Sequence, residues 1–302
     1  MSAFRSGLLT PPREEEERSP FRPVWRSLIF EQYGMFAVVV GTFAVQVFLG
    51  FAPPDSLSLP INVALAVLPV VLWLIWSYVP EQRAPQPRSG LILIFLMSGL
   101  LSQAVGRPLI NDVLRVQEWL PLSSALTRIA GYSLTTGLVE VGICYLVIRA
   151  IVWPNNVRSR YDFVAYAAVA ALGYTLIPNI EFAVTGNPLA YVVALHTAAG
   201  VTTLTMGLVV VGYGIAAVTI DSVSALAQPI ILAVGAAVVG VSIPLFGGFL
   251  NASFSAGGTS LPRYLFAILF VGAFLTGLIF VMHFLYRFSE RQSAERRLGT
   301  PE

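Results

Sequence analysis

The stretch Ile129–Trp153, which reads IAGYSLTTGLVEVGICYLVIRAIVW, decides the class of fold. A helix needs about 20 predominantly apolar residues to cross a hydrocarbon core about 30 Å thick, and this stretch is long enough. It carries one carboxylate near its middle, Glu140, and one basic residue near its end, Arg149. Because a charge at the centre of a bilayer costs at least about 2.5–3.5 kcal/mol, we expect Glu140 to face a polar cavity or a partner.

The composition of the whole chain is that of a membrane protein. Of its 302 residues, 56% are hydrophobic and 11% are charged, and the mean hydropathy is +0.76. A typical soluble domain carries about 25% charged residues. The net charge of +2 gives no indication of a nucleic-acid partner. The single cysteine, Cys144, excludes an intrachain disulfide and a metal site built from several cysteines.

Eight apolar runs are long enough to span a bilayer, so the sequence predicts an all-α polytopic membrane helix bundle with about eight transmembrane helices. Arginines concentrate in both tails and in the loops after the second and fourth runs, which predicts that both termini are cytoplasmic. The predicted spans are Gly34–Ala52, Ile61–Val79, Leu91–Ile110, Ile129–Trp153, Phe163–Val184, Tyr191–Val218, Pro229–Leu250 and Tyr264–Tyr286.

These spans divide the chain into five parts. They are a cytoplasmic tail (1–33), three spans with a long outer loop (34–128), a core of four spans (129–253), the last span (254–288) and a cytoplasmic tail (289–302). The outer loop from Arg107 to Arg128 is predicted to be a lid or a substrate-docking helix, because it has an apolar face. That face consists of Val113, Val116, Trp119 and Leu120.

Glu140 shares a helix face with Thr136 and Cys144, since residues four apart lie on the same side of a helix. Gly137 borders this face and leaves room beside it. The face is small and mildly polar, which favours contact with a cavity. A protonated glutamate that is hydrogen-bonded to a neighbouring helix is the alternative, and it would have a purely structural role.

Further polar groups are predicted at a similar depth in the next two spans. Pro178 removes one hydrogen bond from the fifth span and kinks it, and Asn179 and Glu181 follow directly. His196 enters the membrane from the same side, and a Glu/His pair in a wet cavity can bind a metal or transfer protons. Asn251, at the end of the seventh span, is predicted to face the same region. Interfacial or capping roles at the helix ends are the alternatives for these residues.

The polar residues described above and the spans that carry them, taken in this order, resemble the PrsW family of intramembrane proteases. These are polytopic bacterial proteins related to the CAAX-protease superfamily. The resemblance covers roughly Ser133–Ser253, or four of the eight spans. The matching positions are Glu140 for the first glutamate of the family's Glu-Glu-x-x-Lys motif, Asp162 for the aspartate that precedes the next span, Asn179 for the asparagine of its Glu-Asn motif, His196 for its first histidine, and Asn251 for its last asparagine.

Other positions depart from the family pattern. The second glutamate is replaced by Val141, the lysine by Cys144, the glutamate of Glu-Asn by Pro178, and the second histidine by Gly247. A catalytic zinc site normally has three protein ligands and a water. Glu140 and His196 would provide two, and Glu181 lies about one helical turn from the family position.

The resemblance implies a peptidase that cleaves membrane-protein substrates in the bacterial plasma (inner) membrane, such as single-span proteins like anti-sigma factors. It implies Glu140 as general base, His196 as metal ligand or acid–base partner, and Asn179 as polariser of the scissile carbonyl. A Zn²⁺ mechanism and a metal-free glutamate mechanism both remain open. The alternatives are an inactive relative that binds transmembrane helices, and a small-molecule or proton pathway.

Overall fold

The computed structural model describes residues 24–51, 53–84, 87–152, 160–220, 227–251, 255–256, 259–260 and 264–299. In this part of the chain, eight helices are long and apolar enough to cross a membrane, which confirms the predicted all-α polytopic bundle. We number them as spans one to eight. They are Arg26–Phe48, Asp55–Gln82, Leu91–Trp119, Ala125–Val152, Asp162–Val184, Ala190–Val218, Ala227–Leu250 and Leu265–Leu285.

The spans are built from α-helices that π-helical segments extend in several places. The α-helices are α1 Val24–Phe43, α2 Asp55–Trp73, α3 Val79–Gln82, α4 Leu91–Leu101, α5 Val116–Trp119, α6 Ala125–Tyr132, α7 Leu138–Val152, α8 Arg160–Val184, α9 Ala190–Ile220, α10 Ala227–Asn251 and α11 Leu265–Gly299. The π-helical segments are Ala44–Phe48, Leu74–Tyr78, Ser102–Gly106, Leu109–Val113 and Ser133–Gly137. Two short antiparallel strands, β1 Ser255–Ala256 and β2 Thr259–Ser260, precede α11.

The first span begins about ten residues earlier than the sequence predicts, because α1 starts at Val24. Its polar residues are buried in contacts with other spans instead of lying in a solvated tail. Glu31 accepts a hydrogen bond from Ser77, and the Gln32 side chain accepts one from Thr202 at 2.7 Å. A hydropathy pattern cannot detect such pairing, so it placed the start of the span too late. Likewise, α11 continues to Gly299, into the predicted C-terminal tail.

The third span also extends beyond its predicted end at Ile110. π-helical segments lie on either side of Arg107-Pro108 and carry the helical path through the proline to Val113. Local π adjustments of this kind accommodate a proline within a membrane helix. Of the predicted apolar face in the following segment, Val116 and Leu120 are fully buried, whereas Val113 and Trp119 are exposed.

Spans five and six form the centre of the bundle. In the most apolar 18-residue stretch of each, 78% and 72% of the residues are buried, against 39% or less in the same stretch of each of the other six spans. Close approach at this centre depends on glycine. Gly173 packs against the backbone of Phe95 in span three, and a Cβ atom on Gly207 would lie 2.9 Å from the Gly235 carbonyl of span seven. Small residues at such crossings let helix backbones touch and so increase van der Waals contact.

A buried ionic cluster ties the region between spans two and three to the start of span five. The Arg88 guanidinium donates to Glu81 Oε2 and to Asp162 Oδ1, both at 2.7 Å, and all three side chains are less than 10% exposed. Because Asp162 begins span five and Glu181 ends it, we call the two ends of the bundle the Asp162 end and the Glu181 end. Asp162 lies 17 residues before Asn179 on one helix, or about 25 Å at about 1.5 Å per residue.

The substitution Asp162→Asn is expected to destabilise the protein strongly, because it leaves the buried Arg88 with one carboxylate fewer. Breaking a buried ion pair by removing one partner typically costs about 3–5 kcal/mol. Thermal unfolding of the protein in detergent measures this effect. Glu118→Gln is the matched control, because its pair with Arg115 is long, at 4.0 Å, and both side chains are about two-thirds exposed. Equal melting temperatures for the two variants would contradict a structural role for Asp162.

Candidate functional site

A polar cavity opens at the Glu181 end and reaches into the middle of the bundle. It consists of an outer chamber of about 690 Å³ and an inner chamber of about 250 Å³. Exposed residues of the outer chamber, including Asn111, Gln117 and Thr185, connect it to the surface. The two chambers meet at a junction whose residues line both of them. These junction residues are Glu140, Tyr174, Pro178, His196 and Ile243.

Glu140 reaches the junction from the first turn of α7, directly after the π-helical segment Ser133–Gly137. Gly137 packs against the backbone of Ala236 in span seven, so any larger residue there would push the two spans apart. This contact fixes the turn from which the Glu140 side chain extends. π-helical turns within α-helices are frequent at functional sites, where they change the direction of the following side chains.

The Glu140 carboxylate has no hydrogen bond or ion pair with any residue that the structure describes. The other acidic side chains of the described spans that are not exposed all have partners: Glu31 pairs with Ser77, Glu81 and Asp162 with Arg88, and Glu181 with Arg107. Removing a carboxylate from water without such compensation is costly, so Glu140 depends on the polar cavity that it lines. The alternative of a glutamate hydrogen-bonded to a neighbouring helix is therefore not what the described residues show.

His196 and Asn179 approach Glu140 from spans six and five. The imidazole of His196 stacks on the ring of Phe182, with centroids 3.9 Å apart and an interplanar angle of 15°, and it lines both chambers. Asn179 lines the inner chamber and is only 3% exposed. Its Nδ2 has no acceptor among the described residues. The cavity thus brings together a carboxylate, an imidazole and an unpaired amide donor from three different spans.

Glu181 lies in the outer chamber, but its charge is already compensated. It forms an ion pair with Arg107 of span three and accepts a hydrogen bond from Gln103 Nε2 at 3.2 Å. Arg107 in turn donates to Gln103 Oε1 at 3.3 Å. These three residues form a polar bridge between spans three and five at the mouth of the cavity.

The described residues do not fit a zinc site. Nowhere in the described ranges do three or more His, Cys, Asp or Glu side chains come close enough together to hold a metal ion. A catalytic zinc normally takes three protein ligands, so Glu140 and His196 would lack a third. Glu181, which the sequence offered for this position, is held by Arg107 instead.

Three other residues singled out from the sequence do not join the described site. Asp162 lies in the ionic cluster at the opposite end of the bundle. Asn251 is the last residue of α10, and its side chain lies outside the described part of the structure. Cys144 was predicted to share a cavity-facing stripe with Thr136 and Glu140, but it is fully buried, and its Sγ donates to the Ala170 carbonyl of span five at 3.8 Å.

Several cavity residues escaped the sequence reasoning. Arg107 was placed at the end of the third span and in the outer loop, and Gln103 within that span was not singled out, whereas both lie at the cavity mouth. Their spacing of four residues was an available signal, because it puts both side chains on one helix face. Tyr132 and Ser102, which line the outer chamber, carried no signal that distinguishes them from ordinary packing residues.

Comparison with known proteins found no matching family model, no similar curated protein and no similar solved structure.

Cysteine labelling tests the cavity directly. Cys144→Ala gives a cysteine-free background, into which Glu140→Cys or Val141→Cys is introduced. We expect Glu140→Cys to react with a membrane-impermeant thiosulfonate added on the side of the membrane that the Glu181 end faces, because its side chain lines both chambers. Val141→Cys is expected to stay unlabelled, because Val141 is fully buried. Equal labelling of the two positions would contradict the described cavity.

Proposed function

We propose that this protein is a PrsW-like intramembrane peptidase in which Glu140 is the general base. The observation that carries this proposal is the unpaired Glu140 carboxylate at the junction of two chambers, in a bundle whose other buried or half-buried described carboxylates are all paired. Intramembrane ionisable groups are rare and mark functional pathways or sites. The order of Glu140, Asn179 and His196 along the chain, and their convergence on one cavity, support the PrsW-like assignment.

In the proposed reaction, the Glu140 carboxylate takes a proton from a water molecule, whose oxygen attacks the carbonyl carbon of a peptide bond. The resulting oxyanion accepts a hydrogen bond from Asn179 Nδ2, which lacks a partner among the described residues. The carbon–nitrogen bond then breaks, and the amine leaves with the proton that Glu140 removed from the water. His196 orients the attacking water or relays this proton, and its stacking on Phe182 holds the imidazole in place.

The proposal is a glutamate mechanism that needs no metal. The described residues offer Glu140 and His196 but no third ligand, and a carboxylate base with an amide donor supplies the two functions that amide hydrolysis requires. The contributions expected from each are about 10²–10⁴-fold for the base and about 10²–10³-fold for the donor.

The proposed substrates are membrane proteins, such as single-span proteins of the anti-sigma-factor kind, in the bacterial plasma membrane. The junction lies within the membrane-spanning part of the bundle, so a peptide bond must itself enter from the bilayer or its outer surface to reach Glu140. A transmembrane helix must unwind locally to do so, because its carbonyls are otherwise hydrogen-bonded within the helix.

One observation favours a second candidate, an inactive relative that binds transmembrane helices without cleaving them. At the positions of the family's second glutamate and lysine, Val141 and Cys144 are fully buried in the core and contribute no polar group to the cavity. Such a protein would keep the cavity as a binding site for an unwound helix segment.

Glu140→Gln is expected to reduce cleavage at least about 100-fold, because the amide cannot accept the proton of the attacking water. The assay uses proteoliposomes that contain the protein and a library of single-span reporter proteins with varied membrane sequences. Glu118→Gln is the matched control, since it makes the same chemical change on an exposed side chain that lines neither chamber.

The outcomes of this assay separate the two candidates. Undiminished cleavage by Glu140→Gln would show that Glu140 is not the base. If the unmodified protein cleaves no reporter, but a photocrosslinker placed at Thr136 in the outer chamber captures reporters, the helix-binding function is supported instead.

Asn179→Ala is expected to lower kcat by about 10²–10³-fold with little change in KM, because its amide acts on charge that develops only in the transition state. Asn111→Ala is the control, because Asn111 lines the outer chamber and is exposed. The measurement is the cleavage rate of one reporter over a range of reporter densities in the vesicle. An equal effect of the two substitutions would contradict the assigned role of Asn179.

A further inference from the structure

The inner chamber has a different chemical character from the outer one. The outer chamber contains Arg107, Glu181, Asn111 and Gln117, whereas the residues that line only the inner chamber are uncharged. They include four apolar or small residues, which are Ala199, Gly200, Val239 and Phe246, and Ile243 at the junction adds a fifth apolar residue to the chamber.

The hydroxyl groups of the residues that line only the inner chamber are already hydrogen-bonded. Thr175 donates to the Ala171 carbonyl at 2.8 Å, Thr203 to the Ala199 carbonyl at 2.8 Å, and Ser242 to the Val239 carbonyl at 2.6 Å. Each hydroxyl thus donates its single proton to a carbonyl of its own helix. Among the described residues that line only this chamber, the Asn179 amide is the one polar group with an unpaired donor.

The chamber is large enough for a bulky apolar group. Its volume is about 250 Å³, and an apolar protein cavity of about 150 Å³ binds benzene. The space exists because position 200 is a glycine. A Cβ atom built on Gly200 would meet only Asn179 Oδ1, at 3.8 Å, so the chamber begins where a side chain would otherwise extend.

We propose that the inner chamber is a specificity subsite that takes one large apolar substrate side chain, such as leucine or phenylalanine, next to the bond that is cleaved. The inference rests on the proposed peptidase function. With the reacting carbonyl at the junction beside Glu140 and Asn179, the neighbouring side chain enters the inner chamber, while the rest of the substrate lies in the outer chamber. An acidic side chain is disfavoured there, because no arginine or lysine lines the inner chamber to compensate its charge.

Filling the chamber tests this assignment. Gly200→Leu places a side chain in the subsite without a predicted backbone clash. Gly142→Leu is the matched control, because a Cβ atom at Gly142, on span four, meets nothing within 4 Å, and Gly142 lines neither chamber. The substrates are single-span reporters that differ at one residue beside the cleaved bond, which is Gly, Ala, Leu, Phe or Asp.

We expect the unmodified protein and Gly142→Leu to cleave the Leu and Phe reporters at least about tenfold faster than the Ala reporter, since one methylene in an apolar pocket is worth about 10–200-fold. Gly200→Leu is expected to lose this preference by slowing the Leu and Phe reporters selectively, with the Gly and Ala reporters little affected. Uniform slowing of all reporters would instead indicate a chamber that serves the attacking water, and it would overturn the subsite, as would an unchanged preference.

A binding measurement keeps the subsite and the peptidase function distinguishable. The same reporters are titrated against Glu140→Gln and against the double variant Glu140→Gln/Gly200→Leu, with energy transfer in vesicles as the readout. Tighter binding of the Leu and Phe reporters that is lost in the double variant supports the subsite even if no protein cleaves them, in which case only the peptidase function fails. Binding that does not depend on the varied side chain overturns the subsite.

Discussion

The bilayer leaves a carboxylate inside a span few ways to be stabilised, and this constraint orders the whole structure. Four of the acidic side chains in the described spans solve it by pairing, with serine or arginine as partner. The pairs of Glu31, Asp162 and Glu181 connect segments that are distant in sequence, whereas Glu81 and Arg88 are seven residues apart. Glu140 alone among these described groups is stabilised by a cavity, and the surrounding helices have to keep that cavity open.

The cavity stays open because the bundle is tight elsewhere. Spans five and six pack closely on their neighbours through glycine contacts such as those of Gly173 and Gly207, and this packing fixes the backbone positions of Asn179 and His196. On the other side, the π-helical turn before Glu140 and the Gly137 contact with span seven set the direction of the carboxylate. Because these tightly packed spans keep the polar side chains of the cavity apart from one another, Glu140 has no partner among the described residues.

The sequence alone was enough to predict the bundle and to single out three polar residues that line the cavity, because Glu140 and His196 interrupt long apolar runs and Pro178-Asn179 interrupts a third. The prediction failed for polar residues that lie inside spans because they pair with residues of other spans. Glu31 looked like part of a tail, and Arg107 looked like part of a loop, although both contact other spans. The prediction also failed where the packing of the spans determines whether a side chain faces the cavity. Cys144 turns onto span five, and the inner chamber exists only through the arrangement of spans that lie far apart in sequence.

The proline at the junction has a consequence for how an unwound chain could be held. Pro178 has no N–H group, so the carbonyl of Tyr174, four residues before it, is without its usual helical donor. Tyr174 also lines the junction, and the neighbouring Asn179 offers a free amide donor. The turn that contains Pro178 therefore carries one spare acceptor and one spare donor, and an extended backbone needs both once its own helix has been opened. The missing hydrogen bond in span five is in this sense complementary to the hydrogen bonds that a substrate helix would have to lose.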